Sequence, residues 1–586
     1  MSILLILFFL VLTLNYSYTK RKSFSLAIVI SSLFFALATI LITELSSSYN
    51  SYHFTSSFIY WCVIDTGLIY LTLKNRELIS INRYKTLLIQ NKWMILFLGT
   101  FSILLFIQGI LYPPNNWDSM TYHMARIAHW VMNESVYPYP THIYRQIYQP
   151  PLAEWMIGQI CILNRADYFA NALQLMYLIS SLACVNLIMQ EFELSQKIRS
   201  IAFILVFTTP SIFMQATSTQ NDIVIGFFLL GTIYALIRFF KTFRISIALL
   251  AGVFIGCALL TKGTAFVYLI PISLIAFMVL IRNIIKSTIS VSKIIPSVSL
   301  LLLLTLLIPS PHYYRNYMLS GDIFGASDDH YFNQNSNVKS VALGLLKNMG
   351  NHLSTPFTSD ITNQVVEKAH LMTDIQIDDE KYSYNGIHFK SGTWNHNEDE
   401  VSNFLQVILF LVTVLFLFLK WKNTTNTFRY TTLFCLATFF IFSFILKWQP
   451  WHIRLQAPLF MMMAIPCSMV LEQFKLKKII SLYLVLASIY CILIMILNPN
   501  RPFIKTDKQA KLVTRFEKFF VAMPSYLDGY NKLRYKVVKH IPNEWNVHGD
   551  TWEYPLYYDC FSKKRTPFTP IEIVNQTKEL SSFKEN

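Results

Sequence analysis

Charge is scarce in this chain: Asp, Glu, Lys and Arg make up 14% of its 586 residues, where soluble proteins carry about a quarter. The deficit is filled by hydrophobic residues, 54% of the total, gathered into runs long enough to cross a hydrocarbon core of roughly 30 Å. A soluble globular class is thereby excluded. Cysteine is little used as well. Of the eight, Cys62, Cys161, Cys184, Cys257, Cys435, Cys467 and Cys491 fall in apolar runs and Cys560 stands alone near the C-terminus. With no CxxC and no even-numbered group outside the membrane, neither a zinc site nor a disulfide framework is supported. Walker loops, GxGxxG, HExxH and nucleophile-elbow motifs are missing, so ATP-driven transport and cytoplasmic nucleotide-sugar chemistry lose support. The first apolar run lacks a basic n-region and a small-residue cleavage site, and reads as a retained helix. No repeat with a period of 20–50 residues and no low-complexity linker is found.

What is present is a series of apolar runs bounded by charges or proline. They predict an all-α polytopic membrane protein of about fourteen helices: 1–15, 24–43, 57–73, 92–112, 168–190, 199–216, 222–239, 245–261, 264–281, 294–310, 403–419, 431–447, 454–471 and 478–497. The formal net charge of +16 does not point to nucleic acid, because the basic residues sit in short loops on one side. Lys20, Arg21 and Lys22, then Arg76, Arg83 and Lys85, then Lys197 and Arg199, then Arg238, Lys241 and Arg244 all fall in alternate loops. The intervening loops 44–56 and 217–221 have no Lys or Arg. That alternation sets the basic loops in the cytoplasm and both termini outside. The resulting division is 1–91, N-terminal helices; 92–310, a membrane core with a first outer loop at 113–167; 311–402, a large outer loop; 403–498, C-terminal helices; and 499–586, an outer segment. The large loop is acidic (Asp328, Asp329, Asp378, Asp379, Glu380, Glu398, Asp399, Glu400), as suits a translocated segment. The last segment carries Trp545, Trp552, Tyr554, Tyr557 and Tyr558, enough apolar surface for a small α/β or irregular domain or a cap on the helices.

Candidate chemistry gathers on the outer side. In the first outer loop, Met120, Met124, Ile127 and Val131 recur at helical spacing, with Asp118, Tyr122, Arg126 and His129 on another face. The pattern predicts an amphipathic helix along the membrane surface. Asp118 at its start is either an N-cap or a general base above the bilayer. Asp222 opens a later span at the same depth and is open to the same two readings. Lys262, Arg315 and Arg454 are outward-side cations at span borders, against the charge rule. Such residues either snorkel to headgroups or grip a phosphate. His452 accompanies Arg454 among aromatic residues of an interfacial belt. Asp118 and Asp222 also leave a divalent metal ion possible, without a recognisable ligand spacing.

In order along the chain, NNWDSMTYH, QPPLAEW, STQNDIVIGFFLL, GCALLTKGTAF, PHYYRNYMLSGDIFG and WHIRLQAPLF resemble the GT-C superfamily of lipid-linked-sugar glycosyltransferases. The branch is that of the protein O-mannosyltransferases and aminoarabinose transferases (glycosyltransferase family 39), over about Lys92 to Asn500. The resemblance implies a GT-C-like fold and a polyprenyl-phosphate sugar donor used on the non-cytoplasmic face. It makes Asp118 the acidic catalytic residue of the first outer loop, acting as base, with Asp222, Lys262 and Arg454 at the matching later positions. The family often has two adjacent acids where this chain has Asp118-Ser119. Tyr122, His123, Arg126, Arg315 and His452 complete the candidate substrate-binding set. The expected partners are the lipid-linked donor, an acceptor that is a glycan, lipid or protein, and membrane lipids. The expected location is a bacterial inner membrane with the site on the periplasmic face. A transporter or flippase of lipid-linked glycans is the alternative; it predicts polar residues through the depth of the spans, and the spans here are nearly uncharged.

Overall fold

The computed structural model describes residues 2–75, 92–286, 291–325, 331–391, 397–474, 477–538, 551–565, 573–578 and 580. The basic residues Arg76, Arg83 and Lys85, the acidic Asp328 and Asp329, and Trp545 lie outside them. The chain is a multi-pass, all-helical membrane protein; among the described residues the only β-pairing is two isolated bridges. Every expected span coincides with helix. The span expected at 199–216 is two helices, Gln196–Phe207 and Pro210–Gln215, because Pro210 cannot continue the preceding turn. Among the described residues, eight helices are long and apolar enough to cross a membrane, or nine if the pair Ile294–Leu307 and Ser310–Ser320, bent by 51°, is one span. Ile245–Thr261, Phe404–Leu419 and Ala457–Gln473 are shorter apolar helices. By this measure of length and composition, eight or nine of the about fourteen expected crossings qualify among the described residues.

Burial separates the helices into two kinds. Ala172–Glu191 and Asp222–Thr242 are mostly buried, whereas Phe54–Lys74, Lys92–Leu111 and Lys478–Ile496 show most of their surface. The outer helices expose Ile59, Val63, Leu96, Ile103, Leu482 and Leu486, a surface suited to lipid rather than water. The Asp222–Thr242 helix is central, packed on Ala172–Glu191, Ile245–Thr261 and Ala457–Gln473. Small residues permit such closeness. A Cβ added at Gly252 would lie 2.5 Å from the Leu301 carbonyl oxygen, and one at Gly256 would lie 2.9 Å from Cβ of Ile308. Two glycines four apart thus form the seat on which the Val291–Leu307 helix rests.

The first outer loop is amphipathic as expected, yet both its faces are covered. Tyr122, His123, Arg126 and His129 are buried together with Met120 and Met124. Above them lies the C-terminal segment. Trp552 packs edge-on against Trp117 at 5.6 Å, Glu553 Oε2 is 3.2 Å from His129 Nε2 and accepts from Gln146 Nε2 at 3.0 Å, and the Tyr554 hydroxyl donates to Asp167 at 2.9 Å. Among the described residues that segment holds short helices and irregular chain, with no strand.

Candidate active site

Four breaks in helical structure bring the charged residues together. Asp118 begins a π-helical turn, Ser119–His123, that runs into the helix Met124–Met132. It does not cap that turn. Asn116 takes that role, its Oδ1 accepting from the Ser119 N–H at 2.7 Å, so the Asp118 carboxylate is left for other work. Asp222 opens its helix without capping as well: Asn221 holds the N-cap position, and the Ile223 and Val224 N–H groups donate to Gln174 Oε1 at 2.9 and 3.3 Å. Lys262 lies in extended backbone between Ile245–Thr261 and Thr264–Ile285. Arg454 comes from a four-residue helix, His452–Leu455, that leads into Ala457–Gln473. Its approach is fixed by the bridges Phe332–Leu446 and Ser383–Trp448 to the large outer loop.

The side chains pair as cation and anion. Arg454 Nη2 donates to Asp118 Oδ2, and Arg454 Nε lies 3.1 Å from Oδ1 of Asp399 in the large outer loop. Lys262 Nζ donates to Asp222 Oδ1 at 2.5 Å. The two pairs are close enough for Asp222 to act on Arg454, and for Arg454 and Asp118 to act on Lys262. Several buried polar atoms have no hydrogen-bond partner here: Arg454 Nη1, Asp222 Oδ2, Asn221 Oδ1, Gln220 Nε2 and Gln215 Oε1. Water or a polar ligand would complete them. Burial alone would raise the Asp118 carboxyl, but Arg454, Arg145 and His123 outweigh it and hold the group well below the usual carboxylate range.

A second cluster supports the first from behind. His123 Nδ1 is hydrogen-bonded to Glu154 Oε1, and Arg126 Nη2 is 2.6 Å from Glu154 Oε2, both side chains fully buried. Arg126 Nη1 also donates to the Gln149 carbonyl at 2.8 Å. The turn that carries Asp118 is thus pinned to QPPLAEW through its own basic residues. Burial would raise Glu154, but Arg126 and His123 keep it low.

Not every candidate joins the Asp118 group. Arg315 forms a two-pronged pair with Glu44 at 2.8 and 2.9 Å, its guanidinium 5.8 Å from the Tyr137 ring and 5.9 Å from that of Trp155. His452 bonds through Nδ1 to Asn348 Oδ1 at 2.8 Å and stands edge-on to Phe442. Tyr122 is buried beneath Arg145, whose guanidinium lies 5.1 Å from its ring centre. Among the described residues no three His, Cys, Asp or Glu side chains gather to hold a metal ion, and Asp118 and Asp222 each already face a cation.

Three residues of the site escaped sequence reading. Glu398 and Asp399 were part of an acidic stretch explained by translocation, and Arg501 lies just past the last span. Arg501 Nη2 is 2.7 Å from Glu398 Oε1 with both side chains fully buried; Asn116 Nδ2 donates to the same oxygen at 2.8 Å, and Arg501 Nη1 to Asn115 Oδ1 at 3.1 Å. The only available signal was a charge at the outer border of a span, the feature that singled out Arg454.

Residues 148–314 match the family described as dolichyl-phosphate-mannose-protein mannosyltransferase. No curated protein matches the chain. Two solved structures are similar: ArnT from Cupriavidus metallidurans bound to undecaprenyl phosphate, at 10% identity and TM-score 0.47 over 84% of this chain and 88% of that one, and its apo state, at 11% and 0.48 over 85% and 88%. The matched segment carries Glu154, Asp222 and Lys262, and over it the chain is similar to the mannosyltransferase family that the sequence resemblance pointed to.

Proposed function

We propose that this chain is a membrane glycosyltransferase that moves a sugar from a polyprenyl-phosphate donor to an acceptor on the non-cytoplasmic, periplasmic face, with inversion and with Asp118 as base. The observation that carries the reading is the adjacency of Asp118–Arg454 and Asp222–Lys262 around polar atoms that lack partners. The family match over 148–314 supports a glycosyl-transfer reaction.

In this reading the polyprenyl chain lies between helices and its phosphate meets Arg454 and Lys262. An acceptor hydroxyl or amine attacks the anomeric carbon and passes its proton to Asp118 Oδ1, since Oδ2 is engaged by Arg454. The bond from that carbon to the phosphate oxygen breaks, and the phosphate departs with the electron pair. Arg454 and Lys262 oppose the charge it gains. A single displacement inverts the sugar. The low pKa of Asp118 makes it a weak base, so orienting the acceptor is a large share of its work.

The test is purified protein in lipid nanodiscs with polyprenyl-phosphate sugars and candidate acceptors, following released polyprenyl phosphate. Asp118→Asn is expected to lower turnover by about 10²-fold or more in protein that still folds. No release from any donor, or movement of lipid-linked glycan across vesicles without covalent change, would replace this reading with that of a flippase.

A further inference from the structure

Arg454 serves two carboxylates from different parts of the chain. Its bond to Asp118 is a direct hydrogen bond from Nη2. Its contact with Asp399 is a charge contact only: Nε is 3.1 Å from Oδ1, yet neither atom has a hydrogen-bond partner. Nη1 is also unpartnered. Asp399 is the more open of the two acids, its side chain 28% exposed against 16% for Asp118. The weaker and more accessible leg of the bridge is therefore the one from the large outer loop.

The backbone that delivers Asp399 is anchored. Its neighbour Glu398 is fully buried against Arg501 and accepts from Asn116, two residues before Asp118. Both acids are thus set around one guanidinium by a single buried network, and a change at Asp399 need not move the loop. In direct contact, three carboxylates (Asp118, Asp222, Asp399) share two cations (Arg454, Lys262), with Arg145 acting on Asp118 from beside them. A phosphate entering such a group is repelled unless one carboxylate gives up its share of a cation. Asp222 is fully buried against Lys262, and Asp118 holds the hydrogen bond; Asp399 is left.

We propose that Asp399 sets the affinity of this site for the donor's phosphate, by occupying Arg454 until the phosphate displaces it. The inference rests on the reading of the site as one for a polyprenyl phosphate and adds a residue that governs how tightly it is held. Displacement is a side-chain event: the Asp399 carboxylate swings away or takes up a proton, and phosphate oxygens take Nε and Nη1 in its place, a two-pronged geometry that arginine favours. The surroundings of Asp399 suit this exchange. Burial pushes its carboxyl up to about 7, with Arg454 opposing and Glu398, Asp118 and Glu400 reinforcing. The sign follows. Below that pH Asp399 is neutral and yields Arg454; above it the carboxylate competes with phosphate.

The experiment measures binding of a polyprenyl phosphate without sugar, with the parent polyprenol as control, to the full-length wild type, Asp399→Asn and Asp399→Ser in nanodiscs between pH 5.5 and 8.5. The ionisation of the free phosphate is common to all three proteins and cancels in their ratio. Expected is tighter binding by both variants at pH 8, on the order of tenfold, with the gap closing by pH 6. Equal or weaker binding by both folded variants at pH 8, or a ratio that does not change with pH, overturns the role of Asp399 while leaving the phosphate site intact. Wild type that binds polyprenyl phosphate no better than polyprenol overturns the reading of the site itself.

Discussion

At the scale of single residues the site is an exercise in keeping charge in dry surroundings. Asp118, Asp222, Asp399, Glu398 and Glu154 each have a cation at contact distance, since an unpaired buried ion costs several kcal/mol. Glu154 shows the consequence most directly, because it serves both Arg126 and His123 with all three side chains fully buried. Replacing Glu154 with Gln strands the Arg126 charge and is expected to cost about 3–5 kcal/mol, read as a large drop in the melting temperature of the purified protein. The pH dependence has a definite sign. The folded-state pKa of Glu154 lies below its unfolded value. Its stabilisation is therefore complete above the ordinary carboxylate pKa of about 4.3 and is lost as pH falls towards the folded value. The wild-type melting temperature should decline below about pH 4, and the Gln variant should show a shallower decline. An equal acid slope in both proteins would remove Glu154 from this role.

Helices here are placed by what their surfaces lack. Gly252 and Gly256 let Val291–Leu307 approach until a Cβ at Gly252 would press on backbone, the Leu301 carbonyl, at 2.5 Å. Backbone cannot yield as a long side chain does. Gly252→Ala is therefore expected to push the two helices apart at a cost of about 1–3 kcal/mol, despite the better helix propensity of alanine. Thermal melting in detergent checks this, and unchanged stability would mean that the seat is loose. The effect bears on the site as well: Ile245–Thr261 ends at Lys262 and packs on Asp222–Thr242, so its displacement alters the Lys262–Asp222 pair.

For the molecule as a whole, the C-terminal segment closes over the first outer loop. Trp552 is buried against Trp117, Phe520, Tyr526 and Tyr530, and the adjoining Glu553 reaches His129 and Gln146. Trp552→Ala removes a large buried ring, worth about 3–5 kcal/mol, from the cap rather than from the membrane core. Hydrogen exchange should accelerate in residues 113–132, with little change in Ala172–Glu191 or Asp222–Thr242. Uniform acceleration throughout would instead make the cap part of one cooperative unit with the core.

Much of this was legible before any coordinates. The scarcity of charge and the length of the apolar runs determined a helical membrane protein, because bilayers admit few other solutions. Cations that broke the charge rule pointed to Lys262 and Arg454, since a charge at a span border needs a reason. What one dimension cannot carry is which charges meet. Arg315 and Arg454 look alike in sequence, yet one faces Glu44 and the other Asp118 and Asp399. Glu398 and Asp399 read only as acids of a translocated loop, and Arg501 as a base after a span, both ordinary by composition. Their roles come from burial and from partners distant in the chain, Arg454 for Asp399, and Arg501 and Asn116 for Glu398. Periodicity and hydropathy act locally and so determined the helices; Coulomb pairing acts through space, so only the tertiary structure decided the site.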